Sequence, residues 1–130
     1  MDNGSHSLAF RLYTPAPSAA PLPLWLWLHG GVHAPRADTV EPLEALLPSL
    51  LERGAQVRFP CYILQPMAMP GTNFVGYYRN HPRAVLRLRP HAEDSLQRAI
   101  HLLDVLLRVR AREIDPARVM IAGASMGAYG

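Results

Sequence analysis

Apolar and polar positions alternate along residues 8–13, the rhythm of an outer strand. A proline-rich link over 15–21 ends it. Leu22–Leu28 is then apolar on both faces, which predicts a strand covered on both sides, as in a parallel sheet. It stops at His29-Gly30-Gly31, a turn signal. Residues 41–53 place Leu43, Leu46, Leu47, Leu50 and Leu51 at helical spacing. Pro42 suits the first turn and Gly54 a C-terminal stop, while Pro48 should kink this helix or split it in two.

Residues 59–64 read as a second buried strand, closed by Gln65-Pro66. A long loop over 67–90 follows. The clearest helix spans 93 to about 110. Leu96, Ile100, Leu103 and Leu107 form its inner stripe, and Ala99, Leu102 and Leu106 widen it. Gln97, His101, Asp104 and Arg108 fall on the opposite face. Glu93 and Asp94 suit its first turn, and Asp94–Arg98 and Asp104–Arg108 are i,i+4 pairs. Asp115-Pro116 makes a turn before a third buried strand, 119–122. Strands alternating with helices predict a parallel α/β sheet.

Composition narrows the class. With 49% hydrophobic residues the chain has the makings of a packed core. No apolar run approaches the roughly 20 residues of a membrane-spanning helix. The run 22–28 is also a poor secretory leader, because prolines and a single Arg11 precede it. An intracellular, cytoplasmic protein with no membrane partner is expected. The one cysteine, Cys61, leaves no internal disulfide and no cysteine-based zinc site. The net charge of +3 comes from scattered arginines, so no nucleic-acid partner is expected.

The chemistry concentrates at the last strand, which runs into Gly123-Ala124-Ser125-Met126-Gly127. G-x-S-x-G is the pattern of a nucleophile elbow, a strand-to-helix turn that lifts the serine hydroxyl clear of the sheet. Its glycines, Gly123 and Gly127, let strand and helix pass closely. The helix that follows would turn its positive end to the reacting oxygen. The bland alternative is a glycine-rich loop after a strand. His29-Gly30-Gly31 follows an early strand, where an oxyanion-hole N–H is supplied in such enzymes. Gly31 is the expected donor, with Gly30 shaping the turn and Met126 giving the second N–H. An ordinary Gly-Gly turn is the alternative.

Three segments carry a resemblance: 23–31, 59–66 and 114–130. Together they make the chain resemble the esterase and predicted-peptidase branch of the α/β hydrolases, close to poly(3-hydroxybutyrate) depolymerase-like and feruloyl-esterase-like enzymes. The Asp-Pro turn, strand and Ser-Met-Gly of the third segment are the most specific part. The resemblance implies a three-layer α/β/α hydrolase sheet, mostly parallel. It implies hydrolysis of a small-molecule carboxylic ester through an acyl-enzyme on Ser125, with a peptide or amide as the weaker option. No metal and no organic cofactor is implied.

There are departures. Ala128 stands where the family often has a second glycine, and residues 67–90 match no pattern of the family, so its substrates do not carry over. The family places its acidic residue and histidine after the elbow, and residues 1–130 hold neither position. The chain is therefore expected to be the N-terminal part of a single α/β-hydrolase domain, truncated after the elbow. A catalytically inactive or non-enzymatic domain of this fold is the alternative.

His6, His33, His81, His91 and His101 are each poor candidates for the base, and the His29 ring is expected to support its turn. His29 and His33 lack a third ligand for zinc. Asn73, Phe74, Tyr77 and Tyr78 are expected either to line the substrate pocket or to pack as aromatics of a surface loop.

Overall fold

The structure, a computed structural model, describes residues 8–30, 47–68, 74, 94–124 and 126–129. These form a mixed α/β fold around one open four-stranded sheet. In chain order the elements are β1 (Phe10–Tyr13), β2 (Leu22–Leu28), α1 (Leu47–Leu51), α2 (Arg53–Arg58), β3 (Tyr62–Pro66), α3 (Asp94–Val109), β4 (Ile114–Gly123) and α4 (Met126–Tyr129). The sheet order is β1-β3-β2-β4. β2 runs parallel to both its neighbours, and β1 pairs antiparallel with β3 at the outer side.

This placement explains the unbroken apolar character of β2. Leu22, Leu24, Leu26 and Leu28 face one cluster, which α3 covers with Ala99 and a series of leucines. Trp25 and Trp27 face the other, where Leu50 and Leu51 of α1 pack. β3 is divided in the same way, with Tyr62 and Leu64 on one side and Ile63 on the other, where Cys61, just before the strand, joins it. All five of its residues are buried.

Several boundaries differ from the sequence reading. Residues 59–61 are not part of β3. Phe59 ends α2 with an extended backbone and is 76% exposed. The residue before a proline is driven out of the helical region, and Pro60 has no N–H to give a ladder. The helix around Pro48 is indeed split, but at Glu52, whose ψ of 136° leaves the helical region. Pro48 sits in the first turn of α1, where a proline is tolerated. Positions 41–46 lie outside the described residues. Gly54 does not stop a helix; it lies inside α2. Gln56 ties this region together: its side-chain amide donates to the Leu50 carbonyl at 2.7 Å, and its Oε1 accepts from the Cys61 N–H at 3.1 Å.

α3 turns the expected Leu96, Ala99, Leu102, Leu103, Leu106 and Leu107 to the core, but the centre of that face lies one residue from the expected stripe. Ser95 and Ala99 are fully buried, and Leu102 and Leu106 continue their line, whereas Ile100 is 51% exposed. The small side chains of Ser95 and Ala99 admit the helix close to the sheet, and the leucines to either side fill the flanks. Gln97, His101, Asp104 and Arg108 are exposed, as expected. Asp104 and Arg108 pair at 2.6 Å on that face, worth about 0.2–0.5 kcal/mol.

β4 is longer than the sequence indicates. It pairs Ile114 with Leu22, then Val119 with Leu24, so the intervening residues bulge out of register. Asp115 builds this bulge. Its carboxylate accepts from the Ala117 N–H at 2.9 Å and from Arg118 Nε at 2.8 Å. Arg118 Nη2 in turn donates to the Pro21 carbonyl at 2.6 Å, at the entry to β2. The predicted Asp-Pro turn is thus present, folded into the strand.

Candidate active site

The carboxyl ends of β2 and β4 lie side by side, with Leu28 opposite Gly123. The Ala124 N–H donates to the Leu28 carbonyl at 3.2 Å, and the Gly127 N–H donates to the Ala124 carbonyl at 2.9 Å. Strand, turn and the short helix α4 therefore follow within a few residues. The two motif glycines are required by close approach. A Cβ on Gly127 would stand 1.9 Å from the Leu28 carbonyl oxygen, and one on Gly123 would stand 2.4 Å from the Gly127 carbonyl. No real Cβ tolerates such distances, so α4 reaches β2 only because both positions are bare.

Ser125 and Gly31, the expected nucleophile and oxyanion donor, lie outside the described residues. Met126 opens α4. Gly30 is half-buried directly after His29.

His29 is 1% exposed at the end of β2. Its Nε2 accepts from the Ala68 N–H at 3.0 Å, and its Nδ1 lies 2.8 Å from the Gly30 carbonyl oxygen. The Phe74 ring meets it edge to face at a centroid distance of 5.0 Å. With both ring nitrogens engaged and the ring enclosed, His29 supports its turn and has no lone pair to offer a serine. Among the other histidines, His101 is on the exposed face of α3. His6, His33, His81 and His91 lie outside the described residues.

Phe74 is a core residue, 1% exposed, and so packs rather than lines a pocket. Asn73, Tyr77 and Tyr78 lie outside the described residues. The sequence gives no sign that Ala68 and Phe74, beyond β3, would close on His29. It also gives no sign of Gln65, whose Oε1 is a buried acceptor without a hydrogen-bond partner near the carboxyl end of β3.

The perturbed titrations lie elsewhere. Tyr62 OH donates to Glu113 Oε2 at 2.8 Å, and Arg110 meets the same oxygen at 2.6 Å, at the amino end of the sheet. Burial raises the Tyr62 phenol first, with the Glu113 carboxylate adding to it. Hydrogen bonds from Tyr62 and Arg110 hold the Glu113 carboxyl below its usual range. Burial likewise raises the Cys61 thiol. Among the described residues, no three His, Cys, Asp or Glu side chains gather as a metal ion would need. Nor is any described helix long and apolar enough to cross a membrane.

No protein-family profile matches this chain, and no curated protein matches it. A solved structure does. The chain superposes on the crystal structure of a thermostable esterase with a TM-score of 0.66 and 24% identity, over 93% of this chain and 31% of that one. The likeness is one of fold: the chain shares its mixed α/β architecture with part of that esterase and spans about a third of its length.

Proposed function

We propose that residues 1–130 are the N-terminal part of a single α/β-hydrolase domain with three layers, and that the whole protein is a serine esterase. The observation that carries this reading is the fit of Gly127 onto the Leu28 carbonyl. It brings the two glycines of the G-x-S-x-G pattern against the end of β2, just before Gly30-Gly31 in the sequence. That arrangement is what an elbow and its oxyanion loop need. The likeness of this chain to part of a thermostable esterase adds support.

In this reading Ser125 Oγ adds to the carbonyl carbon of a small-molecule carboxylic ester. Its proton passes to a histidine beyond position 130, oriented by an acidic residue there. The N–H groups of Gly31 and Met126 hold the oxyanion, each donor contributing about 2.7–4 kcal/mol. The alcohol leaves with the proton. Water then adds to the acyl-enzyme, the bond to Oγ breaks, the carboxylic acid is released and the proton returns to Ser125 Oγ. The chemistry calls on no metal or organic cofactor.

A fluorophosphonate probe tests this, since it reacts with an activated serine. The full-length protein should label at Ser125, and Ser125→Ala should abolish labelling and lower kcat by about 10⁶. A full-length protein that neither labels nor hydrolyses simple esters would instead be a non-catalytic domain of this fold.

A further inference from the structure

Two polar contacts of the His29 ring agree on a single protonation form. A backbone N–H only donates, so the 3.0 Å approach of the Ala68 N–H requires a lone pair on Nε2. A carbonyl oxygen only accepts, so the 2.8 Å contact with Gly30 requires a proton on Nδ1. The neutral Nδ1–H imidazole satisfies both. The Nε2–H form would fail at both contacts, and the imidazolium would set N–H against N–H at Ala68. At 1% exposure, water has little access to relieve either mismatch.

We propose that His29 is a positioning residue, locked as the Nδ1–H form, that clasps the turn after β2 to the segment leaving β3. The Gly30 carbonyl, directly before the proposed oxyanion donor Gly31, is thereby held against the ring. The other half of the clasp is Ala68, with Phe74 bearing edge-on against the same ring. The chain after β3 thereby gains a grip on the oxyanion turn without touching substrate. The kinetic consequence rests on the esterase reading, whereas the tautomer and the clasp do not.

Long-range 1H–15N NMR on the unmodified protein reads the tautomer, with the ring assigned through its proximity to Phe74 and Ala68. A neutral Nδ1–H ring at pH 7 is expected; an Nε2–H or charged ring overturns the proposal. Two variants divide the clasp. His29→Asn leaves a donor near the Nδ1 position, and His29→Gln leaves an acceptor near the Nε2 position. Amide exchange at Ala68 should stay slow in His29→Gln and become fast in His29→Asn. The same rate in both overturns the clasp.

In the active full-length enzyme, His29→Gln should lower kcat by about 10²-fold with KM little changed, as expected when a catalytic group is displaced rather than removed. His29→Asn, which keeps the Gly30 half of the clasp, should lose clearly less kcat than His29→Gln. Equal losses overturn the positioning role. An inactive wild type would sink the esterase reading, while the tautomer and exchange results would still decide the clasp.

Discussion

One added carbon atom at position 127 would lie 1.9 Å from the Leu28 carbonyl oxygen. Neither side of that contact can yield cheaply, because both are backbone. Gly127→Ala should therefore cost at least the 1–3 kcal/mol or so of ordinary overpacking, and should lower the urea midpoint accordingly. An unchanged midpoint would mean that α4 does not rest on β2. The glycines at 123 and 127 are legible in the sequence because their motif needs bare positions. The partner they touch is not, since nothing local ties residue 127 to residue 28. His29 is similar: its turn is visible in the sequence, but the ring's partners come from beyond β3.

The elements show where periodicity suffices and where it fails. Leu22–Leu28 is legible to the residue because β2 is covered on both faces. The start of β3 is not, because apolar character alone does not distinguish a strand from the end of a helix; Pro60 decides it. Gly54 looked like punctuation yet lies within α2, where a Cβ would meet nothing within 4 Å. Gly54→Ala should thus stabilise the protein by about 0.5–1 kcal/mol, read as a rise in urea midpoint.

The bulge of β4 adds a pH dependence. The hydrogen bond from Arg118, followed by that from the Ala117 N–H, lowers the Asp115 carboxyl below its usual value. A lowered group adds stability that is present above its unfolded pKa of about 3.9 and is lost as pH falls through the folded value. Asp115→Asn should accordingly destabilise the protein at pH 7 and converge with the wild type in strong acid. Urea midpoints across that range provide the check, and parallel curves would refute it.

For the whole molecule, the described sheet ends at β4, and Ile121 there is 68% exposed. It lies level with Leu26, on the face that α3 covers further in. A terminal strand with an exposed branched apolar residue is a template for association. The purified 130-residue chain should self-associate, and Ile121→Lys should shift it towards monomer in sedimentation velocity. If the variant sediments like the wild type, that face is covered in some other way.

The parallel pairing of β2 also sets a timetable for synthesis. Leu28 and Gly123 are neighbours in the sheet, yet nearly all of the chain between them must leave the ribosome before they meet. At about 5–20 residues per second, the β4 side of β2 waits several seconds for its partner, with its tryptophans and leucines already made. The chain therefore spends its vulnerable interval before β4 is available, and a chaperone that shields nascent leucine-rich strands would act on β2 first.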